Sequence, residues 1–278
     1  VNEHVPRPWA ARRFWDDGSF DSQHSMIARQ AALGLRVQVG SVPGEEDGSA
    51  HLLVPADKNI FFQALDANFM EVQRERTFVN YRPGEVRSCI GCHEKAQELS
   101  TTQSALPTAV TREPDVPGPL PGEKTGARPL HYPTDVQPVW DAHCVKCHGG
   151  EKTEGELNLT GELTTHFCRS YEELMDRRLL SVIGEIYPKA GNNHYLPPYT
   201  LGSHASKLIE ILRKGHYEVE LSPAEWVRVC AWVDSNGQYY GTYYGRKHIK
   251  HEAHPNFRPV PTFENARATV APVPDDQR

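Results

Sequence analysis

Leu33, Leu35, Val37 and Val39 alternate with Gly34, Arg36, Gln38 and Gly40, and this period of two predicts a strand with one buried face. Two short apolar runs, His51-Leu52-Leu53-Val54 and Ile60-Phe61-Phe62-Gln63-Ala64, flank the turn Pro55-Ala56-Asp57-Lys58-Asn59 and read as strands. Val72 to Tyr81 is more polar, has the character of an edge strand, and stops at Pro83-Gly84. From residue 134 onward the period becomes helical. Val136, Val139/Trp140 and Cys144/Cys147 share one face. Tyr171, Leu174, Met175, Leu179 and Val182 share another, behind a capping box at Ser170-Tyr171-Glu172-Glu173. Ser203 is placed to cap a helix running to Lys214, with Gly215 just past its end. Ser222-Pro223-Ala224-Glu225 combines an N-cap, Pro at the first helical position and Glu at the third, ahead of the apolar stripe Trp226, Val229/Cys230 and Val233.

The segments between these patterns divide the chain. Residues 1–22 show little periodicity and read as a lead-in. Residues 101–133 scatter prolines among Ser, Thr and Gly, the composition of an extended, exposed linker. After Tyr239, Tyr240, Tyr243 and Tyr244 the sequence turns Pro-rich and reads as a tail lying on a surface. The expected fold is therefore α+β. A small antiparallel β-sandwich occupies 1–100, a linker 101–133, an α-helical domain 134–245 and an extended tail 246–278. A length of 278 residues allows roughly two such cores.

Composition narrows the function classes. A net charge of −6 argues against nucleic acid or an anionic membrane surface as partner. No run of about 18 apolar residues is present, so no transmembrane segment is expected.

Cysteine placement carries the chemistry. Cys89-Ile90-Gly91-Cys92-His93 and Cys144-Val145-Lys146-Cys147-His148 are two C-x-x-C-H motifs, the attachment signature of c-type haem. Two thiols one helical turn apart can each form a thioether to a haem vinyl group, and the adjacent imidazole can then ligate the iron. A shared all-cysteine zinc site is the competing reading, but its pairs usually stand some 15–20 residues apart. Here the gap is far longer and each pair has its own His. Two covalently bound haem c groups are therefore expected, held by Cys89, Cys92, His93, Cys144, Cys147 and His148. Such attachment belongs to the periplasm or another extracytoplasmic compartment. The chain opens on Val1 without an export signal, so it reads as a processed or excised piece. Cys168 and Cys230 remain, either as a disulfide or as two buried thiols.

The second ligand of each iron separates electron transfer from catalysis, because two strong axial ligands leave no open position. For the haem on His148 the expected partner is His216, in the loop after Gly215 and before the last helix, with His204 as the alternative. His143 reads as a surface or propionate contact and Met175 as core. For the haem on His93, Met70, His24 and Met26 compete with an open or water-bound iron.

The segments Phe20-Asp-Ser-Gln-His-Ser-Met-Ile27, Leu35-Arg-Val-Gln-Val-Gly40, Val54-Pro-Ala56, Phe61-Phe-Gln-Ala-Leu-Asp66 and Asn80-Tyr-Arg-Pro-Gly-Glu85 lead into Cys89-Ile-Gly-Cys-His93. Together they resemble the middle domain of the hydrazine synthase alpha subunit, which also has relatives in bacterial propeller–cytochrome proteins. Leu201-Gly-Ser-His-Ala-Ser-Lys-Leu208, Gly215-His216 and Leu221-Ser222 resemble the cytochrome domain that follows in those proteins. The resemblance implies a β-rich domain with one haem c, a helical domain with a second, and an N-terminal propeller beyond this chain. In hydrazine synthase a Tyr about one turn after the first motif takes the iron, and the motif His turns to zinc. Gln97 stands at that position here, so the resemblance implies an ordinary iron ligand in His93.

Two functions follow. One is a dihaem electron-transfer module acting with a redox partner protein, as part of a larger assembly or homo-oligomer. The alternative is a catalytic haem domain that acts on a small nitrogen or oxygen compound at the first haem, with Glu75, Arg76 and Glu94 as candidate participants. A weaker third is a structural domain docking through its tyrosine-rich tail.

Overall fold

The computed structural model describes residues 1–5, 28–29, 34–75, 77–90, 106–123, 126–150, 153–164, 167–183 and 196–241. The fold is α+β. Its main sheet is antiparallel, with strand β1 (Asn2–Val5) at the centre. On one side lies β2 (Leu35–Gln38), in the register Asn2↔Gln38 to Val5↔Leu35. On the other lies β3 (Asn59–Phe61), through Asn2↔Phe61 and Glu3↔Ile60. A separate hairpin pairs β4 (Gln63–Leu65) with β5 (Glu71–Arg74). Two short edges complete the main sheet: β6 (Val79–Asn80) on β3 and β7 (Arg128–Pro129) on β2.

This arrangement corrects three sequence expectations. The lead-in begins with the central strand, because Asn2 to Val5 is too short and polar for its period to register before it is paired. The run from Ile60 to Ala64 breaks at Phe62, so one predicted strand serves two sheets. Residues 101–133 are not uniformly extended or exposed where described. Thr108–Thr111 forms a 3-10 turn that buries Ala109, Leu52 bridges to Asp115, Ser41 bridges to Gly118, and Arg128–Pro129 closes the sheet.

The helices are α1 (Tyr132–Asp135), α2 (Gln137–His143), α3 (Arg169–Asp176), α4 (Gly202–Ala205), α5 (Lys207–Lys214) and α6 (Pro223–Asp234). Val136, Val139, Trp140, Tyr171, Leu174, Met175, Leu208, Ile209, Val229 and Trp232 fill one core between them. Tyr239 and Tyr240, expected on a surface tail, are buried in it. Tyr239 packs against Tyr171 at 4.8 Å and Phe167 at 5.0 Å between ring centroids. Residues 242–278 lie outside the described residues. Cys168 and Cys230 are both buried free thiols, which settles their pairing against a disulfide.

A polar seam joins the hairpin to the helices. Glu71 and Arg74 form an ion pair with both side chains 2% exposed. The Glu71 N–H donates to Ser203 Oγ (2.9 Å) and Asp234 Oδ2 (3.2 Å). Arg36 Nη1 donates to the Asp234 carbonyl at 3.1 Å, and its backbone N–H donates to Gln238 Oε1 at 2.9 Å. Burial, with Glu71 nearby, raises the Asp234 carboxyl well above the usual carboxylate range. The outer edge is closed by Trp226 Nε1 donating to the Asn68 carbonyl at 2.9 Å and by the bidentate hold of Arg29 on Asp176.

Candidate metal and cofactor centre

Helix α2 delivers the second motif. Its buried stripe Val136, Val139 and Trp140 continues to Cys144, whose N–H donates to the Trp140 carbonyl at 2.8 Å. The chain then tightens: the Cys147 and His148 N–H groups both return to the Cys144 carbonyl, at 3.1 and 2.8 Å. One cysteine of the pair ends up buried and the other exposed, so the motif straddles the surface. Burial, and then proximity to Cys147, raises the Cys144 thiol to about 11, so it is held as a neutral thiol. Gly149 is required where it stands, because a Cβ there would lie 2.7 Å from the Val145 carbonyl oxygen.

The loop after the motif turns back over it. Leu159 N–H donates to the His148 carbonyl at 2.7 Å, and His148 Nδ1 lies 3.3 Å from the Leu157 carbonyl. That contact selects the tautomer with the proton on Nδ1 and leaves Nε2 as the nitrogen with a free lone pair.

Helix α5 delivers the partner. It ends at Lys214, and Gly215 follows with a positive φ (+88°) but with an extended ψ (131°), so the glycine ends the helix without the left-handed cap its position predicts. His216 follows, and its ring lies 5.9 Å from that of His148, centroid to centroid, with 22° between the planes. An iron with an imidazole nitrogen about 2 Å away on each face sets two ring centroids roughly 6 Å apart. Thiols one turn apart, a His with a fixed tautomer and a second His at this spacing fit a bis-imidazole haem c.

The other sequence candidates lie elsewhere. His204 Nε2 is 3.0 Å from Asp66 Oδ2, so that nitrogen is already partnered. His143 Nε2 meets Glu225 Oε1 at 3.1 Å, tying the motif to the start of α6. Met175 is core, as expected, and Met70 is buried in the same core. Of the first motif, Cys89 is exposed, on an irregular stretch where Val86 and Ile90 are also exposed. Cys92, His93, His24, Met26, Arg76, Glu94 and Gln97 lie outside the described residues. Glu75 Oε2 accepts from the Phe62 N–H at 3.0 Å, so one carboxylate oxygen is engaged in holding the hairpin. No group of three or more metal-ligating His, Cys, Asp or Glu side chains occurs among the described residues.

A groove of about 720 Å³ runs between the β4–β5 turn and α5–α6, lined by Phe69, Leu212, Leu221 and Trp226. It borders the His216 segment at Arg213 and Val219, and the motif residues are not part of its lining. Sequence reading missed the Leu157 carbonyl, which any residue type could supply. It also missed the Arg36–Glu71–Arg74–Asp234 seam, whose members stand too far apart in sequence to form a pattern.

These features define an α+β protein built around a Cys-Cys-His turn faced by a second His. Residues 10–94 match the family model of the hydrazine synthase alpha subunit middle domain. The structure is similar to a chain of Kuenenia stuttgartiensis hydrazine synthase, with a TM-score of 0.50 at 18% identity over 78% of this chain. It spans 36% of that chain's length, and the likeness is one of fold. No curated protein matches. The resemblance to the hydrazine synthase alpha subunit middle domain read from the segments between Phe20 and His93 thus stands.

Proposed function

We propose that the chain is a dihaem c-type cytochrome module that carries electrons outside the cytoplasm, within a larger assembly and to a redox partner protein. The single observation supporting this is the facing pair His148–His216 at 5.9 Å. In this reading the helical half is a cytochrome c-like domain. Cys144 and Cys147 would anchor the cofactor and His148 and His216 would ligate its iron, while the Leu157 carbonyl fixes the His148 tautomer. When bound, haem c supplies a one-electron iron couple. Closing both axial positions leaves no place for substrate, which suits transfer rather than chemistry. Cys89, Cys92 and His93 hold a second haem c by the same motif logic. No helix among the described residues is long and apolar enough to cross a membrane.

A catalytic reading attaches to the first haem alone. Its support is that the family match ends on that motif, at residue 94, and that Cys89 lies on an exposed, partly apolar stretch. One set of measurements on the full chain separates the readings. Intact mass after acid–organic extraction is expected to equal the polypeptide plus two haems, and stoichiometric zinc without haem would overturn both readings. His216→Ala is expected to convert one haem from low-spin to high-spin and open it to carbon monoxide, whereas His204→Ala leaves the spectrum unchanged. Rapid carbon monoxide binding by the reduced wild-type protein at one haem would favour catalysis at the first site.

A further inference from the structure

We propose that Tyr217 is a positioning residue that sets the orientation of the His216 imidazole. The inference rests on the bis-histidine reading above and adds to it the element that fixes the angle between the two rings.

Tyr217 is an anomaly in three respects. Its φ is +51°, in the left-handed region that an aromatic residue rarely adopts, inside a turn closed by Val219 N–H donating to the His216 carbonyl at 3.1 Å. Gly or Asn would make that turn without steric cost. The residue is 94% exposed, so burial returns almost nothing for the strain. Among the described residues its one ring contact is with His216, at 4.9 Å between centroids and 81° between planes.

The backbone strain and the contact have one cause. Neighbouring side chains ordinarily diverge, in a strand to opposite faces and in a helix around the cylinder. A left-handed residue at 217 swings its side chain back beside that of 216. The perpendicular ring then limits rotation of the imidazole about its Cβ–Cγ bond, an aromatic contact of favourable geometry. His148 is fixed on the other side through Leu157, so with Tyr217 in place both imidazoles have a defined azimuth. The 22° between the His148 and His216 planes follows from these two restraints.

A second site in the chain supplies the control. Tyr199 is also left-handed (φ +65°) and exposed, and it packs at 4.9 Å and 84° against His204, whose imidazole meets Asp66. An edge-on tyrosine thus also packs against a histidine paired with Asp66, there from five residues upstream and not from the adjacent position.

The test uses the haem-loaded full chain with Tyr217→Leu, Tyr217→Phe and, as control, Tyr199→Leu. The readouts are the electron paramagnetic resonance spectrum of the oxidised protein, which reports the angle between axial imidazole planes, and the rate of carbon monoxide binding after reduction. Tyr217→Leu is expected to keep two haems and a low-spin iron, but to broaden and shift the low-spin signal and to raise the carbon monoxide rate several-fold. Tyr217→Phe is expected to match wild type, because the ring and not the hydroxyl makes the contact. Tyr199→Leu should leave both readouts unchanged. A wild-type signal and rate in Tyr217→Leu would sink the proposal while leaving the bis-histidine reading intact. A spectrum unmoved by His216→Ala would overturn that reading and this proposal together. Folding is not at risk in these variants, since both tyrosines are exposed; Tyr217→Gly, which relieves the strain, is expected to raise the unfolding temperature while loosening His216.

Discussion

His131 illustrates how a single side chain can couple this fold to pH. It is 3% exposed, its Nδ1 lies 3.0 Å from Thr134 Oγ1, and its Nε2 has no hydrogen-bond partner among the described residues. Burial lowers its pKa to about 4; Asp135 opposes that shift and Arg128 adds to it. The folded chain therefore keeps His131 neutral at a pH where the unfolded chain has begun to protonate it. Between about 6.5 and 4 the unfolded state binds more protons, so stability falls as pH drops through that window and levels off below it. The loss amounts to up to about 3 kcal/mol. Urea unfolding of wild type and His131→Gln at several pH values checks this, with a shallower pH dependence expected in the variant. At this scale the sequence was legible where chemistry is local. Cys144, Cys147 and His148 stand out by spacing, and the place of His216 after Gly215 anticipated that its ring would lie near that of His148. His131 gave no such sign, since only packing makes a histidine neutral.

Helix starts show where local signals hold and where they yield. The box at Ser222 forms as written, with its side chain accepting from the Glu225 N–H and the Glu225 carboxylate accepting from the Ser222 N–H at 2.8 Å. Glu225 also meets His143, so this cap joins α6 to the helix bearing the second motif. Ser222→Ala is expected to cost about 1 kcal/mol in denaturant unfolding. The Ser170 box does not form. That hydroxyl lies inside α3, bonded to Tyr132 at 2.8 Å and to Gln137, and the helix is capped at Cys168 without a side-chain bond. Ser203 likewise leaves its expected cap to donate to Asp234 Oδ2 at 2.9 Å, and the helix breaks at Ser206. In each case a buried polar partner from a distant segment outcompetes the local backbone, because an unmet buried acceptor costs more than a missing cap. The strand at Leu35–Gln38 was readable from its alternation but its buried face was not: Leu35 and Arg36 are buried while Val37 and Val39 are only half-buried, because Arg36 is drawn inward to the Asp234 carbonyl. Strand β1 was not readable, because its partners are supplied by β2 and β3.

On the scale of the whole chain the seam matters most. Glu71 and Arg74 are fully desolvated, and Arg74 Nη1 lacks a hydrogen-bond partner among the described residues, so the ion pair is poised at a costly balance. Arg74→Met takes from buried Glu71 the cation that is hydrogen-bonded to it, leaving only the charge of Arg36 nearby. It is expected to destabilise the protein by about 3–5 kcal/mol, measured by urea unfolding monitored through Trp fluorescence. Loss of cooperativity between the β and helical halves should accompany it. The domain boundaries drawn from composition followed proline content, which marks turns. It does not reveal that β7 returns to the sheet or that Tyr239 and Tyr240 fill the helical core. The seam also orders events in time. Asn2 pairs with Phe61, Val37 with Pro129, and the Arg36 N–H with Gln238, 202 residues downstream. The sheet therefore has no complete set of partners while the ribosome is still making the helices, and its buried arginine waits for the last of them. Folding of such a chain is late and concerted, governed by slow long-range closure. Cys144, buried in the finished core, stays within reach of whatever modifies it until that core has closed, whereas Cys89 and Cys147 are exposed in the folded chain as well.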